Sequence, residues 1–190
     1  LNARLNEYLF RNYDLPMDDA SRMARAKDMG WDTETPLYTG SSADFPAFAT
    51  DRMGQREASF HGKGVYSSAA PDYASEFARG DGGNVMPIVA KRPNEFSWPD
   101  ASKNFQTDAA AQEFTNRASR AGYSGVRVPM DSDTLSDIEA KNFEIVTFDP
   151  ANIRSRFARF DPRLAHLKNL SASAAGLAAI LGISEEEAEQ

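Results

Sequence analysis

The sequence predicts an α+β fold, and three observations carry the expectation. Short runs with strand character recur at residues 37–42, 62–68, 84–90, 123–128 and 143–148. Helical patterns fall among them irregularly, without the strand–helix–strand rhythm of a doubly wound sheet. The chain has 190 residues, 41% hydrophobic and 26% charged, an ordinary globular composition and enough for one domain with a proper core.

Asp18, Asp19 and Ser21 supply capping and acidic first-turn residues for a helix whose apolar side is Met23, Ala26 and Met29, and Gly30 stops it. Pro36 separates that helix from "LYTGSS", a short strand entering a turn. Residues 42–63 mix Gly, Pro, Asp, Arg and Gln without sustained periodicity and read as a long surface loop. "GKGVYSS" is a turn into a strand, and "APDYASEFA" is a helix with Pro71 early and Tyr73, Ala74 and Phe77 at helical spacing. "NVMPIVA" is a strand after the turn "RGDGG". Residues 108–122 form a helix with a cap, an Ala111, Phe114, Ala118 and Ala121 stripe, and a terminal Gly122. "YSGVRV" is a strand, "MDSDTLSD" an acidic loop, and "FEIVTF" a strand ending at Asp149 and Pro150.

The remainder, "NIRSRFARFDPRLAHLKNL", is basic and leads into an Ala-rich helix from about Ser171. Ser184 and Glu187, with Ile183 as a staple, form a capping box that almost no helix follows, from which a longer parent protein is expected. The organisation expected is an N-terminal helical region at 1–35, a core at 36–160 and a C-terminal helical tail at 161–190.

The formal net charge of −7 argues against a generic binder of phosphate backbones, since such affinity rests on clustered Lys and Arg. No nucleic-acid partner is expected. The absence of cysteine excludes disulfides, thiolate nucleophiles and Cys-based zinc sites. His61 and His166 are far apart and lack the spacing that sets two imidazoles on one helix face, so no metal is expected. The longest apolar stretch, "SAAGLAAILGI", is short and rich in small residues, and fits neither a transmembrane span nor a signal peptide.

Two places invite chemistry. In "KNFEIVTFDP", Glu144 heads a run of Phe143, Ile145, Val146 and Phe148 that reads as a buried strand. A carboxylate there is costly unless it is hydrogen-bonded or opens onto a polar cleft, which makes it a site candidate. The strand alone slightly favours a plainer reading, a strand-end residue reaching water. In "HGKGVY" two glycines bracket Lys63. Glycine permits close backbone approach to a ligand, although a turn entering a strand is its commoner meaning.

Order and spacing join these pieces. "LYTGSS", then "FHGKGVYSSAAPDYASEFA", then "NFEIVTFDPANIRSRFA" resembles the three-segment signature of ADP-ribosyltransferases, in the branch that includes diphtheria toxin and the poly(ADP-ribose) polymerases. In that branch the first strand carries His-Gly-Ser or His-Gly-Thr. The second segment carries Gly-x-Gly-[Ile/Val]-Tyr and a helix with an aromatic, and the last strand a catalytic Glu before an aliphatic-aromatic run ending in Asp. The phrases "RAKDMGWDTETPLY", "NVMP" and "FDPANIRSRFARFDPRLAHL" are similar to phage-type ADP-ribosyltransferase domains embedded in large polyvalent proteins injected with phage DNA. The resemblance covers most of residues 20–170.

What the resemblance implies is a split antiparallel β-sandwich with flanking helices and an NAD cleft, residues 36–160 being the catalytic core. Gly40 matches the glycine whose backbone holds the nicotinamide carboxamide, and Ser41 the residue that hydrogen-bonds it. Tyr66 matches the tyrosine beneath the nicotinamide ring, and Phe77 the second stacking position. Core packing is the alternative for both rings. Glu144 matches the catalytic glutamate, which would stabilise the oxocarbenium-like centre formed as the nicotinamide–ribose bond breaks. Arg52, Arg56 and Lys63 are candidate pyrophosphate contacts, exposed solvated charge being the commoner state of each.

Thr39 departs from the pattern, standing where the branch has a histidine that hydrogen-bonds the adenosine ribose. His61 could substitute only if the loop folds over the cleft, and it is expected to stay outside. Asn142 stands where arginine-modifying relatives have Glu or Gln. The implied activity is mono-ADP-ribosylation with NAD as co-substrate, no metal, and a target protein as acceptor. A monomer is expected, effector-like or toxin-like, acting in the cytoplasm of the cell into which it is delivered. The alternatives are a catalytically silent NAD-binding domain, an NAD glycohydrolase and a non-enzymatic phage structural domain.

Overall fold

The structure, a computed structural model, describes residues 15–42, 45, 47–48, 59–92, 94–98, 104–129 and 143–165. Helix α1 (Asp19–Asp28) starts where Asp18 accepts a hydrogen bond from the Ser21 amide at 2.9 Å, and it stops before Gly30, whose φ of +79° turns the chain. Strand β1 (Asp32–Ser41) begins ahead of Pro36 rather than after it. A register shift between Asp32 and Leu37 takes up the proline, which has no N–H for the ladder. The strand therefore runs across the boundary expected at residues 35 and 36.

Strand β2 (Val65–Ser68) leads to a short helix α2 (Pro71–Ser75), with proline in its first turn. Strands β3 (Asn84–Ala90) and β4 (Glu95–Ser97) follow, then α3 (Asp108–Arg120), capped by the Thr107 hydroxyl accepting from the Ala110 amide at 3.2 Å. Strands β5 (Gly125–Pro129), β6 (Phe143–Thr147) and β7 (Ile153–Ser155) complete the sheet. Each of two Asp-Pro steps opens a 3₁₀ turn, Pro150–Asn152 and Pro162–Leu164, with Asp149 or Asp161 as its cap. Among the described residues no helix is long and apolar enough to cross a membrane. The acidic loop and the Ala-rich helix expected from about Ser171 lie outside those residues, as does most of the loop at 42–63.

The architecture is α+β. The described strands form one sheet in the order β4-β5-β6-β2-β1-β3-β7, antiparallel except for β4 beside β5. Its thinnest junction is central, because β1 and β2 share only the pair Tyr38–Ser68. Beyond it, Thr39, Gly40 and Ser41 pair with β3 alone.

All five residues of β6 are buried, and their alternation serves two cores. Phe143 and Ile145 join Leu37, Val65, Ile88 and Ile153 on one face. Val146 joins Trp98, Ala118, Val126, Val128 and Phe148 on the other, beneath α3. Burying one such aliphatic side chain is worth about 1.5–3 kcal/mol, so β6 is a main anchor of the fold. A third cluster, Ala26, Trp31, Val89, Ala158 and Phe160, fastens α1 to the segment after β7.

Candidate active site

Glu144 shares the α3-covered face of β6 with Val146. By register it stands opposite Ser68 of β2 and Val128 of β5. It is only 5% exposed, so the reading of a strand-end residue reaching water does not hold. Burial of a carboxylate demands partners, and two are in place. Oε1 lies 3.2 Å from His61 Nδ1, and Oε2 accepts a hydrogen bond from the Tyr73 hydroxyl at 3.1 Å. Among the described residues no lysine or arginine pairs with it.

His61 reaches Glu144 because the turn before β2 is held on every side. Gly62 has φ of +115°, a conformation that side-chain-bearing residues rarely adopt, and a Cβ there would press on Thr115 and Phe114 of α3. The Lys63 amide donates to the Thr115 hydroxyl at 2.8 Å, and that hydroxyl donates to the Lys63 carbonyl at 3.2 Å. The Phe60 carbonyl accepts from the Phe105 amide at 2.8 Å. Tyr66 closes the turn from inside, its hydroxyl donating to the Gly62 carbonyl at 2.8 Å and accepting from the His61 amide at 3.1 Å. Burial pushes the Tyr66 phenol above its ordinary pKa. The His61 amide bond opposes that shift and the Glu144 charge adds to it, so the hydroxyl stays a donor.

Tyr73 arrives by a different route. At Gly40 a Cβ would lie 1.9 Å from the Ala74 carbonyl oxygen, so only glycine lets α2 rest this closely on β1. That contact sets the height of α2 and points Tyr73 at Glu144. The Phe77 ring, in the turn after α2, meets Tyr73 edge-on at 5.3 Å.

Glu144 and Tyr66 are thus brought together through the turn at residues 61–62, and Gly40 and Phe77 join them through α2 and Tyr73. Thr39 is not brought in. It is buried opposite Met86, on the face of Leu37 and Ile88, and no hydrogen bond joins its hydroxyl to Glu144. Ser41 ends β1 opposite Asn84. Lys63 is not an exposed solvated charge: its side chain is largely covered, and its amine pairs with the exposed Asp108 at 2.8 Å. Arg52, Arg56 and Asn142 lie outside the described residues.

His61 is also corrected, since it was expected to stay outside the site and stands against Glu144. Sequence reasoning missed Tyr73 as well, although its place on the short helix was read. The available signal was a histidine directly before the glycine turn that enters the tyrosine-bearing strand. The chain matches no protein-family model and no curated protein sequence.

Proposed function

We propose that the chain is a mono-ADP-ribosyltransferase with an ADP-ribosyltransferase fold. It binds NAD, breaks the bond between nicotinamide and ribose C1′, and passes ADP-ribose to a protein side chain. The observation that carries this reading is Glu144, a buried carboxylate oriented by two hydrogen bonds and, among the described residues, matched by no lysine or arginine. Such a preorganised negative charge favours positive charge developing beside it and needs no reorganisation as the reaction proceeds.

Nicotinamide departs with the bonding pair on its ring nitrogen and so leaves neutral. Oxocarbenium-like charge builds at C1′ as in glycoside cleavage. The acceptor supplies the pair for the new C1′ bond and gives up its proton to water. Glu144 accepts a hydrogen bond from a ribose hydroxyl and stabilises that charge, for a carboxylate has lone pairs beyond those His61 and Tyr73 use. The thin β1–β2 junction supports a split sheet with a nicotinamide site, since β1 and Tyr66-bearing β2 share only the pair Tyr38–Ser68.

A second reading, NAD binding without turnover, is favoured by the placement of Thr39 away from Glu144. Incubation with labelled NAD separates the possibilities. Nicotinamide release with label on protein is the expected result. Free ADP-ribose as the main product indicates a glycohydrolase, and thermal stabilisation by NAD without nicotinamide release a silent binder. No response to NAD rejects all three.

A further inference from the structure

We propose that His61 is the positioning residue for Glu144: its Nδ1–H fixes Oε1 from the closed side of the site, leaving Oε2 as the oxygen that meets substrate. The inference deepens the transferase reading and rests on it. Its starting point is an asymmetry around the carboxylate. On one side His61 is 8% exposed, its ring lies edge-to-face on Trp98 at 5.4 Å, and its backbone is pinned by Tyr66. On the other side Tyr73 is only half-buried and comes from a helix of five residues. A ligand can share or displace the Tyr73 bond, whereas reaching Oε1 would require removing His61 from its packed seat.

The second ring nitrogen assigns the proton. His61 Nε2 is buried and has no hydrogen-bond partner among the described residues. A proton there would be a buried donor without an acceptor, and would leave a bare Nδ1 lone pair facing the carboxylate, both unfavourable. The Nδ1–H tautomer avoids both, since Nδ1–H donates to Oε1 and the bare Nε2 faces its packed surroundings. The role is orientation. A carboxylate fixed at Oε1 keeps its orientation while Oε2 exchanges Tyr73 for substrate, and a misplacement of about 1 Å in such a group can cost roughly 100-fold in rate.

The test has two arms. In ¹⁵N-labelled protein, ring-nitrogen NMR, assigned with His166→Gln, is expected to show His61 protonated at Nδ1 and bare at Nε2. The opposite tautomer overturns the assignment. In NAD turnover, His61→Asn keeps an amide donor near the Nδ1 position, whereas His61→Gln moves it outward and His61→Ala removes it. The alanine and glutamine variants are expected to lose about 10- to 100-fold in kcat with KM changed by less than about threefold, and the asparagine variant to recover most of the loss. Melting curves confirm that each variant is folded. Equal kcat in all three folded variants, or a loss confined to KM, overturns the positioning role. A wild-type protein with no NAD turnover overturns the transferase reading instead, and the NMR arm then still decides the pairing.

Discussion

Asp32 and Glu95 are carboxylates of the same sheet as Glu144, but their partners are cations. The Arg92 guanidinium bonds both, and Arg127 stands 3.9 Å from Glu95. Burial pushes Glu95 above its ordinary pKa, and Arg92 and Arg127 offset this in part. Burial acts on Asp32 in the same direction, but hydrogen bonds from Arg92 and Thr35 outweigh it and hold that carboxyl below its usual range. The groove beside Arg92 is lined by none of the residues around Glu144. Glu144, more deeply buried than either acid, is met by an imidazole and a phenol. The first arrangement matches its charge within the protein and serves the fold. The second orients the carboxylate by hydrogen bonds and, among the described residues, sets no lysine or arginine against it.

Arg92→Leu converts the first arrangement toward the second by stripping the shared cation from two partly buried acids. It is expected to destabilise by about 2–4 kcal/mol in urea titration, while NAD turnover per folded molecule is unchanged. A stability equal to wild type would break the contrast. Gly40→Ala acts on the other site. The added methyl must push α2 from β1, at a cost of about 1–3 kcal/mol in the same titration. Turnover is expected to fall as Tyr73 withdraws from Glu144, and full activity would show that Tyr73 is not needed there.

The smallest effect is electrostatic. The Arg163 hydrogen bond holds the Asp161 carboxyl below its usual range despite burial. Because the folded value is the lower one, this acid's stabilisation is present above the ordinary carboxylate range and is lost as pH falls through the depressed value. Asp161→Asn keeps the cap but loses the charged hydrogen bond with Arg163, and should lower stability by about 1 kcal/mol at neutral pH and by less in acid. A difference that grows toward acid would contradict the assignment.

How much of this could be read in advance differs from element to element. The cap at Asp18, the α3 stripe and the apolar run of β6 are local signals, and each element formed where it was expected. Pro36 misled because a bulge can absorb a proline inside a strand. β4 and β7 span three residues each, too short for alternation to register, and they exist through their pairing with β5 and β3. Glu144 drew notice as an acid in an apolar run, although that run alone slightly favoured a residue reaching water, and Tyr66 was singled out through the resemblance. His61 and Tyr73 were not, because they lie 83 and 71 residues from Glu144 and meet it only through contacts such as Gly40 with Ala74 and Gly62 with Thr115.

The central claim is that Glu144, oriented by His61 and Tyr73 and matched by no lysine or arginine among the described residues, is used on NAD. Its most direct test is the rate of nicotinamide release by wild type and Glu144→Gln at equal concentrations of folded protein. Wild type is expected to release nicotinamide and the variant to do so at least about 100-fold more slowly, with a melting temperature close to that of wild type because glutamine keeps the size of the side chain and an oxygen to accept a hydrogen bond. Equal rates in the two proteins would contradict the account.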